Sequence, residues 1–240
     1  MQLPEIKSLT PGQEEYPRRL FALGTPPPLH YCGNPMLLNP IRTIAIVGSR
    51  HADSAALALA EKAAEFFASK GFTVVSGLAR GVDERAAYGA LKAGNTVSVV
   101  PFGLNSSEGR RKRKFYCENP KVSDRILLVS ELSPNAPWQA RFAMMRNRII
   151  VALSDAVLVV VTGPKERFRN GRKVRSGTWD AAEKARKLGR PVFTFELSTV
   201  GNKDLIRSGI ATPVPPTEKG FFTVEESIKN KKFLQKPLFE

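Results

Sequence analysis

Residues 43–50 read TIAIVGSR, a run of β-branched and apolar residues that ends abruptly in glycine, serine and arginine. Five further β-branched runs follow, at residues 72–75, 96–100, 126–129, 156–161 and 191–195. Between the runs, apolar residues recur at helical spacing, for example Leu57, Ala60, Ala64 and Phe67. Strands that alternate with amphipathic helices form βαβ units. The sequence therefore predicts an α/β, Rossmann-like fold with a mainly parallel sheet and helices on both faces.

The chain is long enough for one main domain with short extensions, since 42% of its 240 residues are apolar. The region before the first predicted strand is rich in proline, and the last forty residues are rich in proline and lysine. We therefore expect residues 1–42 to form an N-terminal extension that packs on the main domain, residues 43–212 to form the Rossmann-like domain, and residues 213–240 to form a tail.

Several classes of protein are disfavoured by composition. The chain contains no run of 18 or more apolar residues, and the first ten residues, MQLPEIKSLT, lack a basic segment followed by an apolar one. We expect a cytoplasmic protein without a membrane span. The two cysteines and two histidines show no spacing typical of a disulfide framework or a metal centre, so we expect neither a metal nor another cofactor.

The chain carries 37 lysines and arginines against 22 acidic residues, a formal charge of +15. Such an excess favours a polyanionic partner, because phosphate contacts release condensed counterions. Eleven basic residues are concentrated in two runs, 110–114 and 165–175. Each run is either a nucleic-acid contact or a solvated, disordered loop.

Three loops follow strands that should lie side by side, and ligands of open parallel sheets bind where such loops meet. The loops are Gly48-Ser49-Arg50, the segment Ser76-Gly77-Leu78-Ala79-Arg80-Gly81, and Ser176-Gly177-Thr178. Each combines glycine, a hydroxyl group and a following helix, and a basic residue lies in or beside each loop. We therefore expect backbone N–H groups and arginines to hold phosphates there. The alternative is that the glycines merely permit tight turns.

A possible stacking pair lies in a helix predicted over residues 139–153. Phe142 and Arg146 are four residues apart and should be adjacent on one face, where a ring and a guanidinium could hold a base and its phosphate. The alternative is a core phenylalanine beside a surface arginine. Asn147 and Arg148 extend this polar group.

A single carboxylate, Asp83, is predicted at the start of the helix that begins near Val82. Its expected role is to cap that helix or to orient Arg80. No second carboxylate or histidine is tied to it by sequence, so we expect no catalytic residue.

Four motifs carry a family resemblance: IAIVGSR at 44–50, VVSGLARGVD at 74–83, FAMMRNRIIVALSDAVLVV at 142–160 and SGT at 176–178. In this order they resemble the DNA-processing family DprA, also called Smf. The resemblance implies an extended Rossmann-like fold without catalysis that binds single-stranded DNA. It also implies a homodimer that displaces single-strand-binding protein and loads a RecA-type recombinase during natural transformation.

The resemblance places one group of residues around the DNA: Arg50, Ser76, Gly77, Arg80, Gly81, Phe142, Arg146, Asn147, Arg148, Ser176 and Gly177. The loops add Gly48, Ser49 and Thr178, and Asp83 is expected to support them. Three residues depart from the family pattern: Ala87, Val161 and Glu196. These departures put the ligand preference in question.

Two other functions fit the same fold. One is a nucleotide-binding enzyme similar to the cytokinin-activating phosphoribohydrolases, although Arg175-Ser176 stand where those enzymes have glycines. The other is a sensor that binds a small signalling nucleotide. Release of adenine from adenosine monophosphate would indicate the enzyme, and saturation by a mononucleotide would indicate the sensor.

Overall fold

A computed structural model describes residues 3–169 and 171–234. Its strands are β1 (Lys7–Leu9), β2 (Leu29–Gly33), β3 (Thr43–Val47), β4 (Thr73–Ser76), β5 (Thr96–Val99), β6 (Ile126–Ser130), β7 (Ala156–Val159), β8 (Glu166–Arg169), β9 (Arg172–Arg175), β10 (Val192–Phe195) and β11 (Thr212–Val214). Within the described residues, nine of them form one sheet in the order β1-β2-β6-β5-β4-β3-β7-β10-β11. β2 pairs antiparallel with β1 and β6, and the remaining pairs in this sheet are parallel.

The helices are α1 (Ser54–Ser69), α2 (Val82–Ala93), α3 (Ser107–Lys112), α4 (Ala140–Met145), α5 (Asn147–Ala152), α6 (Gly177–Lys187), α7 (Val200–Arg207) and α8 (Glu218–Leu234). Short 3-10 helices span Arg18–Leu23 and Pro35–Leu38, and one turn of π-helix spans Arg113–Cys117. No helix in the described part of the chain is both long and apolar enough to cross a membrane.

Strand β3 shows why both faces of the sheet are covered. Ala45 and Val47 belong to a core cluster with α5 and α6, whereas Ile44 and Ile46 belong to one with α1, α2 and α8. Because successive side chains of a strand point to opposite faces, a strand buried on both sides is apolar throughout. The predicted α/β fold, mainly parallel and with helices on both faces, is confirmed.

Both ends of the described chain contribute strands to this sheet. β1 and β2 extend it beyond β6, and β11 closes the opposite edge beside β10. Phe221 and Val224 of α8 lie in the core cluster of α1 and α2. The division at residues 42 and 212 stays a prediction, and a boundary after residue 212 would cut β11. Residues 1–2 and 235–240 lie outside the described residues.

One local prediction is corrected. The single helix expected over 139–153 is divided into α4 and α5, with Arg146 between them.

The basic run 110–114, for which a nucleic-acid contact and a solvated loop were both open, is helical. Arg113 is buried, and its guanidinium donates to the carbonyl oxygens of Leu104 and Pro4. The run 165–175 forms an antiparallel hairpin of β8 and β9, outside the main sheet.

Candidate nucleic-acid interface

The three predicted loops meet at one edge of the sheet. β3 lies between β4 and β7 and is parallel to both, so the loops that follow these strands leave on the same side. Together they surround a cleft of about 500 Å³, here called the first cleft. The predicted residues that line it are Gly48, Ser49, Arg50, Asp83, Arg146, Asn147, Ser176, Gly177 and Thr178.

Two glycines allow the first two loops to pack against each other. A Cβ on Gly48 would lie 2.7 Å from a methyl carbon of Val82, which is too close for any side chain. Gly81 has a φ of +93° and would bring a Cβ onto the carbonyl oxygen of Ser49. The Val82 N–H donates to that same oxygen at 3.2 Å. The two glycines are therefore required by contact between the loops themselves.

Several backbone N–H groups of these loops are occupied within the protein. The Ser49 N–H donates to the carbonyl of Val161 at 2.9 Å, and the N–H groups of Gly48 and Gly77 donate to the carboxylate of Asp83. The expectation that loop N–H groups hold phosphates is therefore wrong for these three donors. An anion at these loops would therefore be bound more by side chains than by backbone N–H groups.

Asp83 and Arg146 form a buried ion pair beneath the first cleft, with Nη2 and Oδ2 3.7 Å apart. Arg146 also donates to the carbonyl oxygens of Val99, at 2.6 Å, and of Gly77. Burial raises the pKa of Asp83, an effect that Arg146 opposes, and burial lowers the pKa of Arg146 to about 10. Asp83 therefore neither caps α2 nor orients Arg80. Its partners are Arg146 and the two loop N–H groups.

The prediction that Phe142 and Arg146 together hold a base and its phosphate is wrong for Arg146. Only 4% of Arg146 is exposed, because its guanidinium packs on Gly77, where a Cβ would overlap it. The guanidinium over the half-buried ring of Phe142 is that of Arg141, with its central carbon 4.8 Å from the ring centroid. A ring and a cation do meet on α4, but the cation is the adjacent residue, Arg141, and it lines the first cleft whereas Phe142 does not.

Asn147 fixes the third loop. Its side-chain amide donates to the carbonyl oxygen of Gly177 at 3.0 Å and to the carboxylate of Asp180 at 2.8 Å. The Ser176 hydroxyl accepts the Trp179 N–H and so caps α6. The N-terminus of α6 is thereby held at the first cleft.

The structure places some predicted residues away from the first cleft. Arg148 pairs with Glu131. Burial raises the pKa of Glu131, and Arg148 opposes part of that rise. Ser76 and Gly77 lie below the cleft, at the end of β4 and against Arg146. Arg80 and Gly81 line a neighbouring second cleft of about 540 Å³, to which Arg50 also contributes.

The first cleft is rich in cations. In the described part of the chain, Arg50, Arg141 and Arg167 form no salt bridge, although Arg50 is close enough to Asp83 to oppose the rise of its pKa. Lys173 pairs with Glu166, and Arg175 pairs with Glu183. Arg167 and Lys173 come from the hairpin, so the basic run 165–175 did signal them. Nothing in the sequence singled out Arg141, because only its packing on Phe142 brings it to the cleft.

A family model described as DNA recombination-mediator protein A matches residues 7–223. This chain belongs to that family. It is 31% identical over 192 residues to protein Smf of Synechocystis, with 78% of this chain and 45% of the relative covered. It is 30% identical over 194 residues to the DNA processing protein DprA of Bacillus subtilis, with 78% and 60% covered. The chain thus spans about half the length of these relatives.

Solved structures of the family share the fold. DprA of Streptococcus pneumoniae superposes with a TM-score of 0.73 at 29% identity, over 88% of this chain and 71% of that one. DNA processing protein A of Helicobacter pylori superposes with a TM-score of 0.74 at 23% identity, over 95% and 96% of the two chains. The resemblance to the DprA family that the sequence motifs indicated is confirmed.

Proposed function

We propose that this chain binds single-stranded DNA at the first cleft and acts as a recombination mediator without catalysis of its own. The observation that carries the proposal is the group of arginines that line the first cleft, Arg50, Arg141 and Arg167, which form no salt bridge among the described residues. Family membership supports it, as does the Helicobacter pylori relative, which binds single-stranded DNA.

The chemistry of the cleft suits a flexible strand. A guanidinium offers forked donors that match phosphate oxygens, and the first cleft is lined by several of them. Asp83, the acidic residue that lines the cleft, is paired with Arg146 beneath it and leaves the surface cationic. The N-terminus of α6 adds a partial positive charge at the same place.

The variant Arg50→Ala tests the site. We expect it to weaken binding of oligo-dT by about 1.5–3 kcal/mol, the cost of losing a hydrogen bond to a charged group. The measurement is a gel shift with single- and double-stranded DNA across a salt series. Arg207→Ala is the matched control, since Arg207 ends α7 at the opposite edge of the sheet and has a highly exposed side chain.

Two results would count against the proposal: preference for duplex over single strand, or unchanged binding of oligo-dT by Arg50→Ala. Release of adenine from adenosine monophosphate would favour the enzyme, and saturation by a mononucleotide in calorimetry would favour the sensor. Each outcome therefore assigns the cleft to a different function.

The finer role is also a proposal: the chain acts as a homodimer in the cytoplasm that displaces single-strand-binding protein and loads a RecA-type recombinase. Family membership supports it. The test is recombinase assembly on oligo-dT coated with single-strand-binding protein. Assembly should be accelerated by the parent and not by Arg50→Ala. If both accelerated assembly equally, recombinase loading would not depend on the first cleft.

A further inference from the structure

The second cleft lies beside the first, and Arg50 lines both. It is formed by the loop after β3, the start of α2, α3 and the π-helical turn that follows α3. Its polar and aromatic lining residues are Arg50, His51, Arg80, Glu84, Arg85, Tyr88, Arg111, Lys112, Phe115 and Tyr116. The basic run 110–114, which the first cleft does not use, contributes two of them.

Aromatic rings in and beside this cleft are unusually exposed. The exposed fraction is 52% for Tyr88 and 65% for Phe115, and both line the cleft. Trp138, 43% exposed, lies with its ring 6.0 Å from the guanidinium carbon of Arg50. Arg85 and Lys92 lie over the ring of Tyr88, 5.8 and 5.3 Å from its centroid. Exposed rings beside cations are the kind of surface on which unpaired bases stack.

The charges of the second cleft favour an anion. Glu84 is its acidic lining residue, and it pairs with Lys112 at 3.0 Å. Neither Arg80 nor Arg111 forms a salt bridge among the described residues, although Arg111 helps to lower the pKa of Glu108, which does not line the cleft. Arg85 bonds to Glu61, outside the cleft, at 3.2 Å. Among the described residues, the lining therefore retains two guanidinium groups without a salt bridge beside the exposed rings.

We propose that the second cleft is a further subsite for the same single strand, reached when the strand passes Arg50 out of the first cleft. The inference rests on the proposed function and extends it. Tyr88 and Phe115 stack bases, Arg80 and Arg111 bind phosphates, and Arg50 holds the phosphate between the two clefts. The occupant is the continuing strand, because the two clefts share a lining cation and carry the same charge.

The test uses the full chain and two lengths of oligo-dT, about four and about twelve nucleotides, within the range of sites that hold single strands. The variant is Arg111→Ala with Phe115→Ala. Its matched control is Arg207→Ala with Phe21→Ala, which removes the same groups at positions that line neither cleft, with Phe21 52% exposed. Affinity is measured by fluorescence anisotropy, and folding is checked by thermal unfolding.

We expect the variant to bind the shorter oligonucleotide as the parent does and the longer one about tenfold more weakly, the effect of losing one stacked base. The control should bind both as the parent does. Equal binding of the longer oligonucleotide by variant and parent would overturn the subsite alone. Failure of the parent to bind either length would overturn the proposed function as well.

Discussion

The guanidinium of Arg146 joins three parts of the chain: the loop after β4, the end of β5 and the start of α2. It donates to Gly77 and Val99 and faces Asp83, which in turn accepts the N–H groups of two loops. One buried cation therefore sets the shape of the first cleft from below, while exposed arginines line its surface.

The first prediction at the residue scale concerns Asp83→Ala. Its removal leaves Arg146 buried without a counter-charge, and breaking such a pair costs about 3–5 kcal/mol. Urea unfolding of parent and variant measures the difference in the free energy of unfolding. Asp204→Ala is the control: its pair with Arg207 is exposed, so the change should stay within about 0.5 kcal/mol. The buried pair would be refuted as a determinant of stability if the two variants unfolded alike.

Helical spacing predicted that Phe142 and Arg146 share a face, but it could not predict which neighbour each side chain contacts. One of the two carbonyl groups to which Arg146 donates belongs to Gly77, 69 residues earlier in the chain. The loops themselves were predictable, because glycine after a buried strand is a local signal. The partner of a buried cation is not local, and only the folded chain reveals it.

At the scale of elements, the parallel strands could be predicted because burial on both faces makes them continuously apolar. The edge strands could not. β1 and β11 have three residues each, and two of the three are exposed in both, so neither has an apolar run to mark it. In the sequence, the hairpin of β8 and β9 is marked only by a basic run. Its strands pair with each other and lie outside the main sheet, so they have no buried apolar run.

The hairpin provides the prediction at this scale. Its ends are already close, since the Ser176 N–H donates to the carbonyl of Lys165 at 2.8 Å. Replacing residues 166–175 by an Asn-Gly turn should therefore leave thermal stability nearly unchanged. It should weaken binding of oligo-dT, because the first cleft loses Arg167, Lys173 and Arg175. Thermal unfolding and anisotropy measure the two effects.

A second variant separates charge from shape. The triple variant Arg167→Gln, Lys173→Gln and Arg175→Gln keeps the hairpin and removes its three cations at the cleft. If the cations are what the strand meets, this variant should bind as weakly as the one with the turn. Binding equal to that of the parent would mean that the hairpin acts by covering the cleft.

For the whole molecule, the question is whether the net charge of +15 or its placement controls affinity. Each phosphate neutralised on a single strand contributes about −0.7 to the slope of log affinity against log salt. Arg50→Ala and Arg167→Ala should each make that slope less steep by about 0.7. Arg207→Ala removes the same charge at the far edge of the sheet, where screening over about 8–10 Å isolates it from the strand, and should leave the slope unchanged. If all three variants lost the same amount of slope, affinity would depend on net charge alone. That result would contradict the proposal that the strand binds at the two clefts.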